Sequence, residues 1–190
     1  NGEFNLKGNP KFDTEWREPK LFVIHVLDKQ GKIARKTTLP FYGVTMGDIH
    51  VCMQELTRTL IAMGADQAEA VQFLADGATG IWNNIRSALH NAGIAPKKII
   101  YTLDYYHAVE HLSAMIKMLP NLSQTKQDEL FKELKDDLWN GRIYEIKRKI
   151  KQHMEDEKQS IPPELETELE YFHKHQDRMQ YKKFKKKKWL

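Results

Sequence analysis

Cysteine is nearly absent from this chain: Cys52 is the sole example, which excludes an internal disulfide. It occupies an apolar helical position that predicts burial, and a reducing, cytosolic setting fits it. No apolar run approaches the roughly 18 residues that a membrane span needs. Asn1 to Pro10 are polar and carry no signal-peptide core, so secretion is not expected. No internal repeat occurs, and no run after Leu103 reads as a strand. What is present fits a soluble globular protein: 190 residues, 41% hydrophobic and 29% charged, enough for one ample core or a core with an appended piece.

Net charge is +4, and its distribution is uneven. Lys182, Lys183, Lys185, Lys186, Lys187 and Lys188 form a run interrupted only by Phe184. Such a run suits contact with phosphates; on charge alone it equally fits a solvated tail.

In chain order, Asn1 to Lys11 reads as loop and Pro19 breaks any helix in the stretch before it. Leu21 to Leu27 reads as a strand, Asp28 to Gly31 as a turn, and Lys32 to Leu39 as the strand that pairs back. His25 falls inside the first of these, with no partner nearby in sequence; a satisfied strand histidine is the expectation, not a ligand. Pro40 to Met46 reads as a connection. Asp48 to Met63 has the 3.6-residue stripe of a helix, ended by Gly64. Val71 to Leu74 is a short strand. Thr79 then caps a helix that turns Ile81, Trp82, Ile85, Ala88 and Leu89 inward. Lys98 to Leu103 is a second strand, and Tyr106 to Leu119 is helical. Beyond Pro120 three amphipathic helices are expected, over Ser123 to Trp139, Arg142 to Glu157, and from Pro162-Pro163 onward. The reading is α/β to about Leu119, then all α.

Two acids stand out. Asp76 follows the first short strand and Asp104 the second. A strand, a helix and a parallel strand bring both strand ends to one edge of a sheet, where sites form in open α/β sheets. Carboxylates held there are natural ligands for a hard cation such as magnesium. Each could instead cap the helix that follows it. Asp76, Asp104 and His107 together fit metal-assisted phosphoryl transfer, although two acids do not complete a two-metal site.

A rival pattern overlaps this one. His107-Ala108-Val109-Glu110-His111 is H-x-x-E-H, with two histidines one helical turn apart that could bind zinc and a Glu that could act as base. A zinc hydrolase would want a third ligand, for which Glu164, Glu166 and Glu170 are available by count. The setting, directly after an apolar strand and Asp104, is an odd one for a peptidase helix.

A set of words in fixed order adds a resemblance. They are Thr14-Glu15-Trp16-Arg17-Glu18-Pro19-Lys20-Leu21, Phe73-Leu74-Ala75-Asp76-Gly77-Ala78, Ile81-Trp82-Asn83, and Leu103-Asp104-Tyr105-Tyr106-His107-Ala108-Val109-Glu110-His111-Leu112. Gly141-Arg142, Tyr171-Phe172 and Arg178-Met179-x-Tyr181 follow. With these the chain resembles the DDE transposases of bacterial insertion sequences, in the subgroup close to the Mutator-like transposases.

The resemblance implies a ribonuclease-H-like core interrupted by a helical insertion. Residues 1–119 would be a segment of that incomplete core, 120–180 the insertion, and 181–190 a Lys-rich segment leading to the last catalytic helix. Asp76 would be the second acid of the triad and a ligand for Mg2+ or Mn2+. Asp104 and His107 would match the D-x-x-H signature that supports the site. The first acid is expected before Asn1, the third beyond Leu190, and one central strand is expected outside the chain; Asp13 is not assigned. The whole enzyme would cleave DNA at transposon ends and join it to target DNA, as a homo-oligomer acting at the nucleoid in the bacterial cytoplasm. A non-catalytic DNA-binding remnant and the zinc hydrolase are the alternatives.

Overall fold

The computed structural model describes residues 18–34 and 38–189. The loop expected over Asn1 to Lys11, the words up to Arg17, and residues 35–37 lie outside the described residues. The chain is mixed α/β with two small sheets.

The first sheet is antiparallel, β1 (Lys20–Ile24) with β2 (Phe41–Thr45), Leu21 opposite Val44 and Val23 opposite Tyr42. The expected hairpin is present next to its turn: Ala34 donates to the Val26 carbonyl and Asp28 to the Lys32 carbonyl around the antiparallel bridge Leu27 to Ile33. Residues 35–37 of its second strand lie outside the described residues, and the partner of β1 is instead the segment read as a connection, which corrects that part of the expectation. The reason is steric. The Phe22 ring lies across Gly43, where a Cβ would come within 2.3 Å of ring carbons, so a glycine inside this strand makes room for the ring. His25 lies just beyond β1 and is exposed, not inside the strand.

Helix α1 (Ile49–Ala62) begins where the Asp48 side chain accepts from the Val51 amide, and it ends before Gly64, whose φ of 67° favours glycine. It buries Cys52, Met53, Leu56 and Leu60 and packs on β1, β2 and helix α2 (Thr79–Asn91). Strand β3 (Val71–Ala75) precedes α2, and strand β4 (Ile99–Leu103) follows it. The two strands pair in parallel, Val71 opposite Ile99 and Ala75 opposite Leu103, as the strand–helix–strand order requires. Thr79 does not cap α2. Ala78 holds that position without a side-chain bond, and the Asp76 carboxylate closes the preceding turn onto the Ala78 amide instead.

Helix α3 (Tyr105–Lys117) follows β4, and no strand comes after it among the described residues. Helices α4 (Gln124–Trp139), α5 (Ile143–Asp156) and α6 (Pro163–His175) then stack on α3 and on one another. Each hides an apolar stripe, for example Ile143, Ile146, Ile150 and Met154 on α5. The short helix α7 (Tyr181–Lys186) closes the structure, with Tyr181 and Phe184 buried. One continuous cluster joins α1, α2, β4 and every later helix through α6, ending on Tyr181. The helical half therefore shares a core with the strands. None of the described helices is long and apolar enough to cross a membrane.

Candidate active site at the edge of the parallel strands

The parallel register decides where the acids go. The Asp104 amide donates to the Ala75 carbonyl at 2.8 Å, extending the β3–β4 ladder one residue beyond the strands. Asp76 and Asp104 thus leave the sheet side by side at its carboxyl edge, as the sequence suggested.

Each acid also does local work. Asp76 is exposed; its Oδ1 accepts from the Ala78 amide at 2.9 Å, and its carbonyl accepts from the Trp82 indole N–H at 2.5 Å. Asp104 is half-buried and caps α3, its Oδ1 accepting from the His107 amide at 2.8 Å. So the capping role is real for one oxygen of Asp104. Among the described residues no group donates to the Oδ2 of either acid. Free hard oxygen atoms on neighbouring carboxylates fit a hard divalent cation such as Mg2+ or Mn2+.

His107 is tied to Asp104 through its backbone, while its ring turns toward α6. Its Nε2 lies 3.3 Å from the His111 Nε2, and its Nδ1 lies 3.3 Å from the Glu110 carboxylate. The His111 Nδ1 meets the Glu168 carboxylate at 2.5 Å. The two histidines of H-x-x-E-H do come together. Their carboxylate, however, is Glu168, and not Glu164, Glu166 or Glu170; the last pairs with Lys147 at 3.6 Å. The signal for Glu168 was present in the apolar stripe of α6. Leu165 and Phe172 are buried three residues before and four after it, which places Glu168 on the same face. Among the described residues no three His, Cys, Asp or Glu side chains converge to hold a metal ion.

Two tyrosines escaped the site reading, although their words carried the resemblance. The Tyr171 ring stacks on His111 at 3.8 Å and fills the space where a Cβ on Gly77 would sit, 2.3 Å from Tyr171 Cε2. Its hydroxyl is buried without a hydrogen-bond partner. Burial, then the negative charges of Asp76, Glu168 and Asp104, push its pKa far above the usual phenol value. Tyr181 is wholly buried, its ring 5.0 Å from that of Tyr105, and its hydroxyl is likewise unpartnered. Burial again leads the upward shift, followed by Tyr171 and Asp104. Both phenols therefore stay neutral donors close to the acids.

The lysine run is not a frayed tail. Lys182 to Lys186 belong to α7, which Tyr181 and Phe184 fasten to the core. Lys182, Lys183, Lys185, Lys186, Lys187 and Lys188 are all exposed. The Lys182 ammonium donates to the Asn140 side-chain oxygen at 2.6 Å, Lys185 lies 5.5 Å over Trp139, and Lys187 lies 4.8 Å over Trp189. No known family model, curated protein or solved structure matches this chain.

Proposed function

We propose that this chain is the central part of the catalytic domain of a DDE transposase, an enzyme that cleaves DNA and transfers the strand with a divalent metal ion. The observation that carries the reading is the parallel pairing of Ala75 with Leu103, which delivers Asp76 and Asp104 to one edge. The order of an antiparallel pair, a helix and a parallel pair supports a ribonuclease-H-like core, and the helices from α4 onward support an insertion into it.

In this reading Asp76 holds Mg2+ or Mn2+ through its free oxygen, and Asp104 lies beside it. The ion, when bound, activates the attacking oxygen and offsets the charge gathering on the phosphate. Asp104 orients the start of α3 and so fixes the backbone of His107. The neutral Tyr171 hydroxyl offers a donor next to the acids that does not compete with them for a cation. The exposed lysines of α7 attract the DNA backbone, at transposon ends and at the target. A homo-oligomer and action at the bacterial nucleoid belong to the same proposal.

A second reading is DNA binding without cleavage, which the exposed lysines of α7 would serve equally well. Metal-dependent cleavage of an element end by the intact enzyme separates the two. Asp76→Asn keeps the shape and removes one charge. It is expected to cut cleavage by about 100- to 1000-fold, while DNA affinity changes little. Undiminished cleavage in Asp76→Asn would overturn the assignment.

A further inference from the structure

A crevice of about 530 Å3 opens at the opposite end of β4 from Asp104, between the Pro96–Lys98 turn, the Gln176–Arg178 turn and Trp189. Its volume lies within the range of small-molecule sites. Three cations line it, and among the described residues neither Lys97, Lys98 nor Arg178 has a carboxylate within ion-pair distance. The Lys98 ammonium is held by the Asp66 carbonyl at 2.7 Å. Arg178 is fixed more firmly: it donates to His175 Nδ1 at 2.7 Å and lies 4.0 Å over the Trp82 ring. Its guanidinium is thus half-buried and oriented, and the acid whose charge reaches it is Asp177, beyond ion-pair distance. The two acids on the lining, Glu69 and Asp177, are exposed to solvent, which weakens their hold on the interior.

The remaining wall is aromatic. Trp189 is half-exposed, and Tyr101 is held edge-on to Trp82 at 6.2 Å. Lys187, the last-but-one lysine of the exposed run, lies over the Trp189 ring, so the basic surface of α7 leads directly into the crevice. Fixed cations beside a flat ring are the combination that receives one unit of a single-stranded nucleic acid, with charge for the phosphate and a π-face for the base.

We propose that this crevice binds a nucleotide unit, its base stacked on Trp189 in place of the Lys187 ammonium, opposite Phe184, and its phosphate held by Lys97 and Arg178. A DNA strand is the source that the transposase reading supplies, and the choice of DNA rests on that reading. A free nucleotide shares the chemistry.

The test titrates the protein with a fluorescent oligothymidylate, with a duplex of the same length, and with thymidine monophosphate. Trp189→Ala and Lys97→Glu are compared with the parent and with Lys132→Glu, an exposed change on α4. Lys97 is exposed, so its variant keeps the fold, and far-ultraviolet dichroism checks Trp189→Ala. Loss of oligothymidylate affinity by about 5- to 100-fold in Trp189→Ala, with a clear loss in Lys97→Glu and none in Lys132→Glu, is the expected result. A response from the monophosphate alone supports the crevice and removes DNA as its source. If the folded variants bind both single-stranded probes as the parent does, the crevice proposal is overturned. Persistent duplex binding in that case leaves the transposase reading standing.

Discussion

At 1% exposure His175 has no room for a solvated charge. Burial, and then the positive charges of Arg178, Lys174 and His111, lower its pKa from 6.5 to about 4. The native state therefore keeps the imidazole neutral while the unfolded chain takes up a proton. Stability from this source is complete above pH 6.5 and is lost as the pH falls from there toward 4. The total linked to it is about 3 kcal/mol. The melting temperature should fall progressively from pH 7 to pH 4.5, and His175→Gln, whose amide oxygen can still accept from Arg178, should flatten that fall. An equally steep fall in the variant would contradict the assignment. Gly77 offers a second test. A methyl there meets the Tyr171 ring, so Gly77→Ala should cost about 1–3 kcal/mol in chemical denaturation. Tyr171→Leu in the same molecule should recover part of that loss, and an unchanged denaturation midpoint in Gly77→Ala would refute the close approach.

Among the elements, the corner between α4 and α5 turns on one buried acid. Asp137 is 3% exposed and receives Arg142 Nε at 2.7 Å and Lys149 Nζ at 2.9 Å. Burial alone would raise its carboxyl, but hydrogen bonds from Lys149 and Arg142 and their charges outweigh it, so the net shift is downward. Replacing Asp137 by Ala removes the shared partner, although Arg142 keeps Asp136 and Lys149 keeps Glu133, and should destabilise the protein by about 2 kcal/mol. A denaturant midpoint equal to the parent's would show that the corner does not depend on it. Elements with many repeats of one signal were legible in sequence. The stripe of α5 recurs four times, and the strand–helix–strand order around Trp82 forces a parallel pair. Strand β2 was hidden because Gly43 reads as a loop until the Phe22 ring is seen lying on it. Glu168 was legible only by setting the glutamates against the apolar stripe of α6, because Leu165 and Phe172 select it where counting ligands admits several. Tyr171 and Tyr181 look like core aromatics in sequence, and their proximity to the acids arises only when α6 and α7 fold back over β3 and β4.

For the molecule as a whole, the excess of positive charge is concentrated on a helix that is also part of the core. Deleting the last residues would remove Tyr181 and Phe184 together with the lysines, so the charge must be tested by substitution. Changing Lys182, Lys183, Lys185, Lys186, Lys187 and Lys188 to Gln keeps the buried anchors. Six neutralised phosphates correspond to a log–log salt slope of about −5 for duplex DNA. The substituted protein should lose most of that slope, and an unchanged slope would place the DNA contacts elsewhere. The anchoring of Tyr181 against Tyr105 also bears on how the chain is made. During synthesis Tyr105 and Trp139 emerge from the ribosome well before the residue that covers them. The helices from α3 to α6 can form and pack as they appear, but the end of their interior at Tyr105 and Trp139 stays uncovered until Tyr181 arrives, and a nascent chain stalled before it is a sticky one.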